Sequence, residues 1–259
     1  MVAMPPADTP PSRATTSRSR AQNRQVMESE ILRLGREHLR THGAAGLSLR
    51  AIARELGVVS SAVYRYVPSR DELLTLLLVE GYTDLGEAVD AAADAAEPAD
   101  SYVRILAVAN AIRSWAINDP ARWALLYGSP VPGYAAPADR TVAPGTRVIA
   151  RLLAELADAH AAGRTTDRRT SLPAELSTDL DAIRTEFAST LPDGVLLAGT
   201  LLWSTVIGAT SLEVIGQYGT DTFAAPEQLF GAQVDAVLSA ILRRDRPTPD
   251  PRVLPDHAE

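Results

Sequence analysis

SLRAIARELGVVSSAVYRYVPSRDELL, residues 48–74, is the stretch of this chain with the clearest structural pattern. Its apolar residues lie three and four positions apart, which predicts a short helix with one buried face. That face consists of Leu49, Ile52, Ala53 and Leu56. Ser48 precedes the helix as a favourable N-cap, and Gly57 can adopt the left-handed conformation that ends a helix. A second short helix is predicted over residues 60–67, because Pro68 disfavours helical geometry at the residue before it.

Helices are also predicted on both sides of this stretch. Upstream, residues 23–41 carry an apolar stripe at helical spacing, and Gly43 is a stop signal. Downstream, Ser69 and Glu72 have the spacing of a capping box at the start of a long helix over residues 70–95. Two short helices that are joined by a glycine turn and supported by a third form a helix-turn-helix, whose second helix enters the major groove of DNA.

The rest of the chain also favours helices. The predicted segments are 100–117, 121–127, 146–162, 173–187, 191–217 and 226–244. Residues 128–145 contain four prolines and three glycines, so this segment is predicted to be a loop. No segment alternates apolar and polar residues as a strand does. The predicted fold class is therefore all-α, with an N-terminal three-helix helix-turn-helix head joined to a larger helical domain.

Charge is distributed unevenly along the chain. The sequence has 32 acidic and 25 basic residues, the latter all arginine, and a formal charge of −7. Residues 1–70 hold eleven arginines and five acidic residues, a net charge of +6, whereas residues 71–259 have a net charge of −13. A basic head supplies the phosphate attraction that dominates DNA affinity, while an acidic domain is repelled by the duplex. The exclusive use of arginine fits either codon bias or bidentate phosphate contacts.

Several classes of site are disfavoured. The absence of cysteine excludes disulfides and thiolate metal sites, and it fits a cytosolic location. No apolar run reaches 18 residues, so no transmembrane helix is predicted, and the N-terminus lacks the apolar core of a secretory signal. Motifs of hydrolases, zinc proteases and nucleotide-binding loops are missing, so no enzyme is predicted. His38 and His42 could bind a metal on a helix, but no third ligand is evident, and neither a metal nor a cofactor is expected.

Residues 22–75 resemble the helix-turn-helix of the tetracycline-repressor (TetR) family of bacterial transcription regulators. The resemblance rests on the run S-L-R-A-I-A-x-E-L-G-V, followed by A-V-Y-R-Y and then P-S-R-D-E-L-L. Many members have Phe at the position of Val67 and Lys at that of Arg70. Val67 fills the same core position with less volume, and Arg70 keeps the positive charge.

The second half of the chain is similar to the C-terminal domain that is named for its Trp-His-Gly motif and occurs on one branch of this family. The similarity rests on N-D-P-A-R-W-A-L-L-Y-G-S-P-V-P-G-Y-A-A-P, residues 118–137, and on W-S-T-V-I-G-A-T-S-L-E, residues 203–213. Trp203 and Gly208 are present, but Ile207 stands where the histidine is usual. A role tied to that histidine is therefore not carried over to this chain.

The helix-turn-helix geometry and the resemblance together predict which residues contact DNA. The N-terminal residues of the second helix meet the bases, and the flanking arginines and serines contact phosphates. The predicted set is Arg24, Ser48, Arg50, Ser60, Ser61, Tyr64, Arg65, Tyr66 and Arg70. Tyr66 has packing as its alternative, Ser48 and Ser69 have helix capping, and Arg54 is expected to be solvated or ion-paired. Serine and tyrosine follow no strict base code, so the operator sequence is not predicted.

The resemblance implies that the larger domain dimerises and senses a small molecule. Aromatic side chains with a few polar tips are typical of a ligand pocket, and the candidates are Tyr102, Trp115, Trp123, Leu126, Tyr127 and Trp203. The expected dimer surface is a four-helix bundle from residues 191–217 and 226–244 of both subunits. Its seam would consist of Leu196, Gly199, Trp203, Leu212, Val234, Val237 and Ile241. Packing within one subunit is the alternative for both sets.

The sequence thus predicts a disordered basic arm (1–21), a helix-turn-helix domain (22–69), a helical ligand-binding and dimerisation domain (70–246) and a flexible tail (247–259). The predicted function is that of a homodimeric repressor that binds a palindromic operator in double-stranded DNA and is released by a hydrophobic or amphipathic small molecule. Regulation without a ligand and transcriptional activation are the alternatives. The protein is expected to be cytoplasmic and nucleoid-associated, without membrane contact.

Overall fold

The computed structural model of the protein describes residues 20–96, 100–166, 172–219 and 221–243. Over these ranges the chain forms ten α-helices and one 3-10 turn, Ala44–Gly46. The helices are α1 (Arg20–His42), α2 (Leu49–Glu55), α3 (Ser60–Tyr64), α4 (Arg70–Ala95), α5 (Ser101–Asn118), α6 (Pro120–Tyr127), α7 (Ala138–Ala161), α8 (Ala174–Glu186), α9 (Asp193–Val214) and α10 (Pro226–Ile241). Apart from one isolated bridge between Thr165 and Leu242, the same ranges contain no β-structure. The all-α prediction is confirmed.

The two predicted terminal regions fall almost entirely outside the described residues. Residues 1–19 of the predicted arm and all of the predicted tail, residues 247–259, are not among them. Arg20 and Ala21 were assigned to the arm, but they begin α1. Arginine and alanine are both good helix formers, so the helix extends ahead of its first apolar contact.

The N-terminal helices and the first part of α4 pack around one small core, and residues 20–77 are called the head from here on. Its buried residues are Ile31, Leu34, Leu39, Leu47, Leu49, Ile52, Ala53, Val63, Val67, Leu73, Leu74 and Leu77. Both predicted N-caps are present. Ser48 Oγ accepts a hydrogen bond from the N–H of Ala51 at 3.3 Å, and Ser69 Oγ accepts one from the N–H of Glu72 at 3.0 Å. Gly57 has a φ of +68°, which confirms the left-handed turn between α2 and α3.

The second helix of the pair is shorter than predicted, since α3 ends at Tyr64 rather than near residue 67. The N–H groups of Tyr66 and Val67 both donate to the carbonyl oxygen of Val63, at 2.9 and 3.0 Å, and close a turn before Pro68. A proline restricts only the residue directly before it, so the end of α3 at Tyr64 precedes the position that Pro68 by itself dictates. Val63 and Val67 are both buried in the head core, so the turn still fixes α3 against its support.

The second part of α4 and the later helices form a larger core, and residues 78–243 are called the body. α4 packs along α5 and α7, while α9 packs along α10 and α5. The largest fully buried side chains of the body are Trp123, Phe230, Leu85, Ile105, Ile112, Leu152 and Leu156. Because α4 contributes to both cores, the head and the body share one continuous helix.

α7 begins inside the segment that was predicted to be a loop. It starts at Ala138 and contains Pro144, so only residues 128–137 connect it to α6, and the loop prediction is wrong for residues 138–145. The prolines and glycines of this segment favour a loop locally. The buried face of α7, however, packs on α4. Gly145 lies against the ring of Tyr82, where an added Cβ would be only 3.4 Å from the ring. Tertiary packing thus outweighs the local cost of an interior proline.

α9 is the one helix of the described ranges that is long and apolar enough to cross a membrane, by length and composition alone. Its inner side lies in the body core through Leu196, Leu202 and Val206. In the most apolar 18-residue stretch of α9, only 39 % is buried within the single chain. Polar residues interrupt the apolar run of α9, so no transmembrane helix is predicted from an unbroken apolar stretch. The outer side of α9 therefore leaves apolar surface without a partner in the monomer.

Pro144→Ala should raise the free energy of unfolding by about 1–3 kcal/mol, because an interior proline removes a backbone hydrogen bond and crowds the preceding turn. The greater entropy of the unfolded alanine variant offsets about 0.4–1 kcal/mol of this gain. Urea unfolding followed by circular dichroism measures the change. Pro120→Ala is the matched control, since Pro120 occupies the first turn of α6, where its missing N–H costs nothing. Equal gains in both variants would contradict the explanation.

Candidate nucleic-acid interface

One side of the head presents polar and aromatic side chains from α2, α3 and the turn after α3. Arg50, Ser61, Tyr64 and Arg65 are exposed, and Tyr64 keeps 40 % of its surface accessible. Ser60 is partly buried at the first position of α3. Tyr64 follows Ser60 by one helical turn, so both lie on one face of the helix. The arrangement presents hydroxyl groups and cations to solvent.

Val59 also belongs to this surface, although it is not among the contact residues predicted from the sequence. It immediately precedes α3 and is 70 % exposed, the highest value among the large apolar residues of the described ranges. Its neighbour Val58 packs against the head core, whereas Val59 does not. The sequence indicates an exposed valine here, because two adjacent valines follow Gly57 and adjacent residues cannot both face the core. A branched apolar side chain at this place can contact the methyl group of thymine.

Arg24 and Tyr66 lie against each other, and each already has a structural contact. The guanidinium carbon of Arg24 is 5.9 Å from the centroid of the Tyr66 ring, and its Nε donates to Glu28 Oε1 at 2.8 Å. Tyr66 is half-buried and packs against the head core. These contacts favour the packing alternative for Tyr66. The exposed guanidinium of Arg24 still faces solvent on the side of α1.

Arg70 connects the start of α4 to the 3-10 turn. Its Nη2 donates to the carbonyl oxygen of Ala44 at 2.9 Å and lies 3.5 Å from that of Ala45. Its Nη1 is 3.6 Å from Asp71 Oδ1. The side chain that was predicted to contact phosphate therefore also binds the backbone between α1 and α2. It ties the residues after the recognition helix α3 to the residues before its supporting helix α2.

An aromatic cluster lies where α6 meets α4 and α9. The ring of Tyr127 is 4.5 Å from that of Trp123, and it makes edge contacts with Tyr82 and Trp203 at 6.1 Å each. The Tyr127 hydroxyl is buried and has no hydrogen-bond partner among the described residues. Burial, with a smaller contribution from Tyr82, raises the pKa of Tyr127 far above its ordinary value. The hydroxyl therefore stays protonated and can donate a hydrogen bond, but no acceptor lies near it among the described residues.

The six predicted pocket residues do not gather at one site. Trp123, Tyr127 and Trp203 belong to the aromatic cluster, and Leu126 lies beside it, against Gly81. Trp115 instead lies under the guanidinium of Arg122, whose central carbon is 4.9 Å from the ring. The Tyr102 hydroxyl donates to Asp235 on α10.

Of these six residues, Trp123 and Tyr127 line a cavity of about 890 Å³ between the head and the body. Its other walls are Leu39, Arg40 and residues 43–45 of the head, residues 120–121, 124–125 and 128–132 of α6 and the following loop, and the C-terminal end of α9. The volume lies in the range of small-molecule sites.

Comparison with known proteins identifies the head and the body. Residues 31–77 match the family model described as Bacterial regulatory proteins, tetR family, and residues 105–237 match one described as Tetracyclin repressor-like, C-terminal domain. The chain is 52 % identical over 221 residues to the HTH-type transcriptional regulators Rv1816 of Mycobacterium tuberculosis and Mb1846 of Mycobacterium bovis, covering 84 % of this chain and 93 % of each relative. The chain belongs to the TetR family of transcriptional regulators.

Solved structures agree with this membership. The crystal structure of the regulatory protein SCO4313 is 31 % identical, with a TM-score of 0.70 over 85 % of this chain and 99 % of that one. The TetR-family regulator PfmR from Thermus thermophilus is 18 % identical with a TM-score of 0.52 over 84 % of this chain and 99 % of that one, which supports the fold alone. The family assignment confirms that this TetR-family protein is a DNA-binding transcription regulator and not an enzyme. Its place on the Trp-His-Gly branch stays a prediction, because the matching description does not name that motif.

The predicted dimer residues of this TetR-family chain divide into two groups. Leu196, Gly199, Val234 and Ile241 are buried within the single chain, which is the alternative that the sequence left open. Trp203 and Val237 are partly buried, and Leu212 is 40 % exposed. The sequence correctly chose apolar helices but could not assign their faces, because α9 is apolar on nearly all sides.

Ion pairs and hydrogen bonds join the head of the TetR-family regulator to its body. The pairs are Arg36–Glu80 at 2.6 Å, Arg40–Asp119 at 3.1 Å, Arg140–Glu72 at 2.7 Å and Thr75–Tyr134 at 2.9 Å. Most of the ion-paired side chains are partly exposed, so each ion pair contributes only about 0–1 kcal/mol. Among the charged side chains of these pairs, Asp119 is the buried one.

Asp119 caps α6 and binds cations from both parts of the molecule. Its Oδ1 accepts from the backbone N–H of Arg122 at 3.2 Å, while its Oδ2 accepts from Arg122 Nε at 2.9 Å and from Arg40 at 3.1 Å. Burial alone would raise the pKa of Asp119. The hydrogen bonds from Arg122 and the charges of Arg122 and Arg40 outweigh burial and hold this pKa below its ordinary value.

Asp119→Asn should remove a stabilising contribution that depends on pH. The pKa of Asp119 is lower in the folded chain than in the unfolded chain, where it is about 3.9. The carboxylate therefore stabilises the fold fully above that value, and its contribution is lost as the pH falls through the folded-state pKa. The difference in unfolding free energy between the native chain and the variant should be constant near neutral pH and shrink below about pH 4. Urea unfolding at a series of pH values measures it, with the exposed Asp179→Asn as the control. A difference that widens toward acid pH would contradict this sign.

Proposed function

We propose that this protein is a homodimeric, ligand-responsive repressor that binds a palindromic operator through the exposed face of α2 and α3. The observation that carries the proposal is the rigid head surface around Tyr64, combined with a body that holds a small-molecule-sized cavity against the head. A protein that acts on DNA in this way works in the bacterial cytoplasm, at the nucleoid. Activation, and regulation without a ligand, are the alternatives.

Direct base contacts are assigned to Ser60, Ser61 and Tyr64, with Arg65 beside them. In a helix-turn-helix the first residues of the second helix reach the base edges, and three of these four side chains are exposed. The arginines of residues 1–70, with their net charge of +6, attract the phosphates. Arg50 has no assigned ion pair within the described part of the head and contacts phosphate most readily. Four further residues of the contact set lie at the edge of the same surface and also make structural contacts. They are Ser48, Tyr66, Arg24 and Arg70.

The dimer surface is assigned to the outer sides of α9 and α10. On α9, Leu201, Thr205, Gly208 and Leu212 follow one another at helical spacing, and Leu201 is 55 % exposed. On α10 the outer residues Ala232, Ala236 and Ser239 are small and exposed. A Cβ added at Gly208 would meet nothing within 4 Å, so this side of α9 is open to a partner. A second copy of the pair would close an isologous four-helix bundle and bury the apolar surface that the monomer exposes.

Tyr64→Ala should weaken operator binding by about 1–3 kcal/mol, because it removes a contact from the centre of the proposed surface. Operator fragments are first selected from genomic DNA with the full-length protein, and affinity is then measured by gel shift at fixed salt. Tyr218→Ala, which removes a tyrosine from the body, is the matched control and should leave the affinity unchanged. Equal affinity of Tyr64→Ala and the native chain would remove Tyr64 from the contact set. Failure to select any fragment would overturn operator binding itself.

Replacing both Leu201 and Leu212 by arginine should convert the dimer to a monomer, since it places buried, unpaired charges in the proposed bundle. Sedimentation velocity measures the change in mass. Operator affinity should fall with it, because a monomer reads only one half-site. The control is Val142→Arg, an exposed valine on α7 that is 49 % accessible. A double variant that remains dimeric would exclude this surface.

A further inference from the structure

The cavity between the head and the body has one wall that belongs to the DNA-binding part. That wall consists of Leu39, Arg40 and residues 43–45, which connect α1 to the supporting helix α2. The opposite walls come from α6, from the loop after it and from Ser211, Val214 and Ile215 at the end of α9. Any molecule that fills the space therefore touches both parts at the same time.

The cavity is lined mostly by apolar side chains. Among them are Leu39, Ala44, Ala45, Trp123, Ala124 and Ile215. The polar side chains of the lining are those of Arg40, Tyr127, Ser129 and Ser211. Ser211 Oγ accepts the Trp123 Nε1–H at 3.2 Å, and a serine hydroxyl can also donate. Arg40 is the only cationic side chain among the described lining residues. This chemistry suits a ligand with an apolar body and one polar end.

Arg40 can exchange its carboxylate partner. Its side chain is half-exposed, and its contact with Glu37 Oε2 is long, at 3.4 Å. Its contact with Asp119 Oδ2 is 3.1 Å. Asp119 would keep both hydrogen bonds from Arg122 if Arg40 moved away, so it would not become an unpaired buried charge. An incoming anion could therefore bind the guanidinium of Arg40 in place of Asp119 at a low cost in free energy.

We propose that this cavity is the effector site and that its ligand is an amphipathic acid, with an apolar body in the cavity and a single anionic group on Arg40. This inference rests on the proposed function and specifies its effector. Binding withdraws Arg40 from Asp119 and so removes one of the ties between head and body. The ligand body presses on Ala44 and Ala45, whose carbonyl oxygens are held by Arg70. Displacement of the 3-10 turn thus reaches α2 directly through the chain, and it reaches the start of α4 through Arg70.

The test uses the full-length protein and two simple probes of equal chain length, sodium decanoate and 1-decanol, titrated by calorimetry below the concentration at which decanoate forms micelles. Decanoate should bind about tenfold or more tightly than decanol, because only the acid makes a charge-assisted hydrogen bond. Arg40→Gln should remove this preference. Equal binding of both probes to the native chain would overturn the role of Arg40. Absence of decanoate binding at millimolar concentration would overturn the ligand class.

A cavity-filling variant tests the location independently. Ala124→Trp places a large ring on the cavity wall at an exposed position and should weaken decanoate binding about tenfold or more, since occupied volume excludes the ligand. The matched controls are Ala154→Trp, at an exposed position of α7, and Arg33→Gln, an exposed ion-paired arginine on α1. Both should bind decanoate as the native chain does. Unchanged binding by both Ala124→Trp and Arg40→Gln would place the site elsewhere.

Gel shifts with the selected operator separate this inference from the function on which it rests. Decanoate should release the native chain from the operator, and it should release Arg40→Gln only at about tenfold higher concentration. A protein that binds decanoate but never binds DNA would overturn the proposed function and leave the site standing. A protein that binds both at once, with unchanged operator affinity, would overturn the coupling through the 3-10 turn.

Discussion

A single helix, α4, takes part in two hydrophobic cores, and the rest of the molecule is arranged around that constraint. Leu73, Leu74 and Leu77 lie in the head core, while Leu78, Leu85 and Val89 lie in the body core. With 26 residues, α4 is about 39 Å long at 1.5 Å per residue. Both cores pack on the same hydrogen-bonded helix. The position of the recognition helix α3 relative to the body is therefore constrained. Any change in its position must pass through α4 or through the contacts beside it.

The contacts beside α4 differ in kind from those inside the body. Arg36–Glu80, Arg40–Asp119 and Arg140–Glu72 involve partly exposed side chains. Pairs of this sort exchange partners with water and ligands at little cost. Within the body, by contrast, Arg113 and Glu213 form a bidentate pair at 2.5 and 2.7 Å with little exposure. The body thus contains a nearly buried ion pair, whereas the polar contacts of the joint, which accompany apolar contacts from Ala121, Leu125 and Val131, can be replaced. That difference is what a molecular switch requires, because the moving contact must be weaker than the parts it connects.

The same division explains how an overall acidic protein can act on DNA. The net charge of +6 in residues 1–70 lies in the part that meets the duplex, and the acidic residues of the body form many of the ion pairs with its arginines. Paired charges in the body add little attraction or repulsion at a distance, and salt screens what remains. Binding then depends on the local field of the head rather than on the sum over the chain.

The helix-turn-helix could be predicted from the sequence because its determinants are local. Ser48, Gly57 and Ser69 each act on the backbone within a few residues, and the structure contains their caps and turn where they were expected. The basic charge of the head and the apolar character of α9 were equally evident from residue types alone. The start of α7 could not be predicted in this way, since Pro144 and Gly145 favour a loop locally and only packing against α4 makes the segment helical. The same holds for the pairing of Arg40 with Asp119 and of Arg70 with Ala44, because residues 79 and 26 positions apart meet only when the helices have packed. The sequence by itself determined the DNA-reading element and the two-part organisation, whereas the tertiary structure alone decided which faces are buried, where the cavity lies and which side chains join the head to the body.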